Sequence, residues 1–302
     1  MDKMENPVVS KANLTNPFHY EGELSWCPGC GDFQILKSVE KALASLNKKP
    51  SEVVLVSGIG QAAKLPHYMK ANGFNGLHGR ALPPAFGIKS FNRNLTVLVT
   101  TGDGDCYGEG GNHLIHAIRR NIDITVIVHN NQVYGLTKGQ ASPTSEVGMV
   151  TKTQPFGVVS LPFNPIAFAI AMDTPFVARS YSKEIDFTAD LIKQGIETKG
   201  FALIDILQPC VSFNKINTYQ WYSQRAYKLD NNYDPINRVK AFEKSLEWGD
   251  KIPIGVIYRS QRQTYDETLD RLGIKPQVNS QPDLSKACSE RSESIKSILS
   301  EF

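Results

Sequence analysis

The sequence predicts an α/β fold, a mostly parallel doubly wound sheet with helices on both faces, followed by a carboxy-terminal arm. Short β-branched runs alternate with segments of helical spacing, the pattern of strand–crossover–strand units. Three segments that follow apolar runs are Gly-rich or polar: Ser57-Gly58-Ile59-Gly60, Gly102-Asp103-Gly104-Asp105, and Asn130 to Gly135. Ligands of open parallel sheets sit at the carboxyl ends of strands, so these three are expected to converge on one site.

The elements follow in order. Met1 to Trp26 is a Pro- and Asn-containing lead-in. Asp32 to Leu46 carries apolar residues at helical spacing (Phe33, Ile35, Leu36, Val39, Leu43, Leu46). Val53 to Ser57 is a β-branched strand, and Gln61 to Asn72 is expected to be helical. Leu95 to Thr100 is a buried strand, Gly110 to Arg120 a helix, and Ile122 to Val128 a second strand. Asn164 to Met172 and Lys183 to Thr198 read as helices separated by a strand at Pro175 to Arg179. Phe201 to Leu207 is the last buried strand. The expected organisation is a lead-in (1–26), one α/β domain (27–218) and an arm (219–302), the arm packing on the sheet domain or on a partner.

Composition excludes several classes. With 302 residues, 41% hydrophobic and 21% charged, the chain has ample length for a large core. A formal net charge of +3 is too small to argue for nucleic acid. No apolar run approaches the ~20 residues that span a bilayer. The polar amino terminus lacks the apolar core of a signal peptide, so a cytoplasmic location is expected. The cysteines then need a role other than structural disulfides.

The chemistry concentrates in Gly102-Asp103-Gly104-Asp105 and Asn130-Asn131. A strand ending in a Gly-rich turn that opens a helix presents free N–H groups and a positive dipole end, which suits a diphosphate. Asp103 and Asn131, at neighbouring strand ends, can meet at one cation, and a few oxygen ligands suit magnesium. The alternative is a plain turn with surface asparagines. Trp26-Cys27-Pro28-Gly29-Cys30-Gly31 is a CxxC in a loop before a helix, and Cys210 follows the last strand. Thiolates gathered from a tight loop and a distant segment suit zinc or an iron–sulfur cluster; a redox CxxC or buried thiols are the bland reading.

The Gly-Asp-Gly-Asp turn followed by Asn-Asn resembles the diphosphate motif of thiamine-diphosphate enzymes. With the cysteines, Leu77-His78-Gly79-Arg80-Ala81, Tyr134 to Gln140 and Trp248 to Val256, the chain resembles the β subunit of 2-oxoacid:ferredoxin oxidoreductases, from about Trp26 to Tyr258. The resemblance implies a sheet of the diphosphate-binding type. It implies magnesium held by Asp103, Asn131 and the Val133 carbonyl, and N–H groups of Gly104 and Asp105 offered to the diphosphate. Trp26, Cys27, Ile59, Gly60, Gln61 and Gly102 are expected to line the cofactor region, and His78 and Arg80 to reach cofactor or substrate. Leu136 and Thr137, just past the metal loop, are placed for phosphate or substrate. Cys27, Cys30 and Cys210 are implied ligands of a [4Fe–4S] cluster.

Such enzymes decarboxylate a 2-oxoacid on thiamine diphosphate, pass electrons through a cluster to ferredoxin and transfer the acyl group to coenzyme A. The pyrimidine-binding domain that the cofactor needs has no counterpart here; the resemblance puts it on an α subunit, with the cofactor at the interface. Lys64 is a candidate partner for a substrate carboxylate, its bland reading a solvated lysine. One departure stands out. In the resembled family a cysteine commonly follows Gly-Ile-Gly, whereas Gly58-Ile59-Gly60 is followed by Gln61, leaving no fourth thiolate. Cys106 reads as a packing thiol, Cys288 as unrelated, and His129 as packed. Two other readings stay open: a subunit of a non-oxidative thiamine-diphosphate decarboxylase, and a scaffold subunit without activity.

Overall fold

The computed structural model describes residues 16–276. Cys288 and most of the lead-in and tail named above lie outside these residues. Ten strands form the framework: β1 (Val53–Ser57), β2 (Asn72–Asn75), β3 (Thr96–Gly102), β4 (Thr125–Asn130), β5 (Val133–Tyr134), β6 (Gln140–Ala141), β7 (Phe176–Tyr181), β8 (Ala202–Leu207), β9 (Ala226–Lys228) and β10 (Ile252–Arg259). Eight helices accompany them: α1 (Asp32–Ser45), α2 (Leu82–Phe91), α3 (Gly111–Arg120), α4 (Pro165–Ala171), α5 (Ile185–Glu197), α6 (Tyr219–Ser223), α7 (Arg238–Ser245) and α8 (Tyr265–Arg271).

Eight of the strands make one sheet in the order β2-β1-β3-β4-β8-β7-β10-β9, while β5 and β6 pair as a separate antiparallel hairpin. All neighbours in the large sheet are parallel except β7 and β10. The expected mostly parallel α/β architecture is therefore what forms. The region after Tyr219 contributes β9 and β10 to the sheet edge.

Side chains alternate across the strands and feed two apolar layers. Val54, Val56, Val97, Val99, Val126, Val128 and Leu203 join one cluster, with Leu114 and Ile118 of α3 and Ile166 and Ile170 of α4. Val53, Leu55, Leu98, Ile127 and Ile204 join the other, with Ile35, Val39 and Leu43 of α1 and Leu191 and Ile192 of α5. Cys106 is buried in the first layer, as a packing thiol would be.

One expectation fails locally. The helix expected over Gln61 to Asn72 is a short 3-10 turn, Ala62–Tyr68, with Pro66 inside it, and the chain then extends into β2. Pro83-Pro84 lies in the first turn of α2, where the missing N–H of proline costs nothing. Among the described residues no helix is long and apolar enough to cross a membrane.

Candidate active site at the carboxyl ends of the central strands

Strands β1, β3 and β4 lie side by side, so their carboxyl-terminal loops open onto one cavity of about 70 Å³. Ile59, Gly60, Gln61, His78, Gly102, Asp103, Gly104, Asp105, Asn131, Val133, Leu136 and Thr137 all line it. Three loops far apart in the chain are thus brought together, as the strand-end argument expects.

Asp103 sits at its floor, 1% exposed. Ser142 and Thr144 each donate a hydroxyl to its Oδ2 at 2.5 Å. Both arrive on the loop after β6. Burial pushes the Asp103 carboxyl up to about 6, and the two hydroxyls oppose that rise. No described side chain donates to Oδ1. One oxygen of this buried carboxylate is thus committed to two hydroxyl donors. Behind it, the Thr144 hydroxyl lies 3.0 Å from Asn130 Oδ1, Asn130 donates to Asp205 at 3.1 Å, and Tyr107 donates to Asp205 at 2.8 Å. This buried relay locks the loop carrying Ser142 and Thr144 to β4 and β8. Neither hydroxyl residue was singled out by sequence reasoning; they lie 39 and 41 positions from Asp103, with no motif joining them.

Asp105 takes a part that its place in the Gly-Asp-Gly-Asp turn does not reveal. Its Oδ1 accepts from the N–H groups of Gly79 at 2.6 Å and Ile59 at 3.2 Å and contacts His78 Nδ1 at 2.6 Å, while Oδ2 accepts from Thr101 at 2.6 Å. One carboxylate therefore ties the loop after β1 and the loop before α2 to the end of β3. The close approach dictates Gly58, where any Cβ would collide with that carboxylate. Gly58→Ala is expected to cost about 1–3 kcal/mol, as overpacked sites do, visible as a lower unfolding midpoint. The helix expected from Gly110 starts at Gly111 and is preceded by a π-helical turn, Gly104–Glu109. Gly104 and Asp105, the first residues of that turn, both line the cavity.

Gln61 and Asn131 also line a second, smaller cavity of about 30 Å³, with Trp26, Cys27, Cys30, Asp32, Gln208 and Cys210. The Trp26 indole N–H donates to the Gln61 carbonyl at 2.9 Å, fixing one wall. The Cys30 thiol donates to Asp32 Oδ2 at 3.3 Å and accepts from Gln208 at 3.2 Å, and burial pushes its pKa far up. Ser212 donates to Cys27 Sγ at 3.1 Å. The structure thus gathers Cys27, Cys30 and Cys210 around one space, yet among the described residues no three His, Cys, Asp or Glu side chains are grouped to hold a metal ion.

Trp26 and Cys27 line only the smaller cavity, and two residues expected at the site line neither. Lys64 donates its ammonium to the Ser25 carbonyl at 2.9 Å, tethering the lead-in to the surface. Arg80 turns away to His113 on α3, at 3.1 Å.

A parallel α/β sheet whose central strands end in a Gly-Asp-Gly-Asp turn and an Asn-Asn pair points to the class of thiamine-diphosphate enzymes, and comparison with known proteins agrees. The profile of the thiamine pyrophosphate enzyme C-terminal TPP-binding domain matches residues 54–206, and that of the carboxy-terminal part of the pyruvate ferredoxin oxidoreductase β subunit matches residues 210–273. A 2-oxoacid:ferredoxin oxidoreductase subunit β of Saccharolobus solfataricus is 48% identical over 258 residues, covering 81% of this chain and 85% of the relative. Subunit β of 2-oxoacid:ferredoxin oxidoreductase 1 from Aeropyrum pernix is 46% identical over 271 residues, covering 86% and 85%. A solved 2-oxoglutarate:ferredoxin oxidoreductase from Magnetococcus marinus, with 2-oxoglutarate, coenzyme A and succinyl-CoA bound, superposes with a TM-score of 0.83 at 33% identity, covering 90% of this chain and 94% of that one. The chain belongs to the family of 2-oxoacid:ferredoxin oxidoreductase β subunits.

Proposed function

We propose that this chain is the diphosphate-binding half of a cytoplasmic two-subunit 2-oxoacid:ferredoxin oxidoreductase and works only with an α subunit bearing the pyrimidine-binding domain. The observation that carries the reading is Asp103: a buried carboxylate, doubly hydrogen-bonded on one oxygen, beside a Gly-rich helix start and Asn131. The residues present fit thiamine diphosphate with Mg²⁺. Asp103 and Asn131 side chains and the Val133 carbonyl would hold the cation. The Gly104 and Asp105 N–H groups would receive the diphosphate; the missing Cβ at Gly104 leaves room for the Tyr134 ring that packs against this turn. The bound cofactor supplies the electron sink for decarboxylation. His78, anchored through Nδ1 to Asp105 at the cavity rim, orients what lies above the diphosphate. Leu136 and Thr137 close the side next to the metal loop.

A cavity of about 70 Å³ holds only part of such a ligand, since ligand sites usually enclose ~300 Å³ or more. A partner completing it is supported by the loop that packs Met149 and Val158 on Val133. That loop leaves Val150, Phe156, Val159 and Leu161 exposed, as an apolar loop that meets a partner would be.

The cysteine cavity does not fit an ordinary four-thiolate [4Fe–4S] cluster. Three thiols line it, Gln61 stands where the fourth is expected, and the Cys30 proton is held by Asp32. Gln61 is what favours the second reading, a non-oxidative decarboxylase.

The purified α–β complex with Mg²⁺ and thiamine diphosphate is expected to reduce ferredoxin in the presence of a 2-oxoacid and coenzyme A, whereas this chain alone should not. Release of CO₂ without ferredoxin reduction, in a complex free of iron and acid-labile sulfide, would establish the non-oxidative reading. No binding of thiamine diphosphate by the complex would remove both in favour of a scaffold.

A further inference from the structure

His129 is the penultimate residue of β4 and pairs in register with Gly102 of β3. Its ring is wholly buried. Nδ1 lies 2.6 Å from Oδ1 of Asp32, the first residue of α1, which is equally buried. His129 also lines the cavity that holds Asp103 and Asn131, and its Nε2 has no hydrogen-bond partner. A buried ring nitrogen without a partner is costly, and here it stands at the wall of the proposed diphosphate site.

Nδ1 is committed to Asp32, so Nε2 is the ring atom left to meet a ligand in the cavity. Phosphate oxygens accept and do not donate, so a hydrogen bond between them and Nε2 is one that the ring donates. Charge-assisted donors to phosphate oxygens are the strong ones, and a ring fixed at its other nitrogen by a carboxylate is held in place for that role.

We infer that His129 is a cofactor-binding residue that donates Nε2–H to the diphosphate, with Asp32 as its positioning residue; this rests on the thiamine-diphosphate reading above. Asp32 meanwhile accepts the Cys30 thiol on its other oxygen, so the dyad is also the physical wall between the two cavities.

The test is the dissociation constant of thiamine diphosphate, and separately of inorganic pyrophosphate, for the α–β complex with Mg²⁺, measured by titration calorimetry. His129→Leu is expected to weaken both by about tenfold to hundredfold, and His129→Gln, which keeps a donor, by less than about fivefold. Should the Leu variant fail to assemble, His129→Asn, polar but too short to reach the cavity, replaces it with the same expectation. Equal affinity of the parent and the Leu or Asn variant for both ligands would overturn the inference. A loss for thiamine diphosphate without one for pyrophosphate would also overturn it, by moving the contact off the diphosphate. A parent complex that binds neither ligand would instead refute the cofactor reading and this inference with it.

Discussion

Asp103→Asn is expected to abolish Mg²⁺-dependent binding of thiamine diphosphate while making the cofactor-free complex more stable. The two effects share one cause. The carboxylate is buried, Ser142 and Thr144 are its side-chain hydrogen-bond donors, and burial lifts its pKa from 3.8 to about 6. Between those values the folded protein holds a proton that the unfolded chain has lost, so stability falls as pH rises through this window. The penalty is absent near pH 3, complete above about pH 7, and on the order of 2–3 kcal/mol at this shift. Asparagine keeps an acceptor for both hydroxyls and removes the charge. Thermal unfolding of the cofactor-free complex should therefore show a higher midpoint for the variant at pH 7.5 and little difference at pH 4. Calorimetric titration should show the opposite for function. Partners that merely orient a metal ligand are worth 10–100-fold in metal affinity, so loss of the ligand charge should weaken cofactor binding by at least about hundredfold. A variant that binds thiamine diphosphate like the parent would remove Asp103 from the metal site. This opposition is the usual relation between a strained site and its fold.

What could be read from the chain followed from short-range physics. The buried strands were legible because β-branched runs such as Val53 to Ser57 and Phe201 to Leu207 have few other ways to bury themselves. The Gly102 to Asp105 turn and Asn131 were legible because a strand end, a glycine and an oxygen ligand are near neighbours in sequence. Strand β2 was not: all four residues from Asn72 to Asn75 are exposed, and only pairing with β1 makes them a strand. Strand β9 has three residues, none buried, and exists because β10 lies beside it. The site shows the same division. Asp103 could be found from its motif, whereas Ser142, Thr144 and Asp32 are defined only by what the fold sets against Asp103 and His129. Lys64 and Arg80 mark the converse case. Their sequence neighbours place them near the site, but long flexible side chains find the nearest acceptor, and here each finds one elsewhere on the surface.

Asp105 allows charge and connectivity to be separated, because alanine and asparagine at this position should differ sharply. Alanine deletes all the acceptors at once. The Gly79 N–H and the Thr101 hydroxyl lose their partners in a buried place, and a cavity opens beside Gly58. Asp105→Ala is therefore expected to cost about 3–4 kcal/mol, in the range reserved for broken buried networks. Asparagine can keep Oδ1 facing Gly79, Ile59 and His78, and the Thr101 hydroxyl can rotate to accept from the new amide. Asp105→Asn should then cost about 1 kcal/mol or less. Denaturant midpoints of the α–β complex measure both. Cofactor affinity should follow the same order, because the loops at Ile59 and His78 form two walls of the cavity and are held by this carboxylate. An alanine variant with loops released would bind thiamine diphosphate weakly even with Asp103 and Asn131 intact. Equal losses in the two variants would mean that the negative charge of Asp105 matters and the tie between loops does not. Equal retention in both would mean that the diphosphate turn holds its shape from β3 alone.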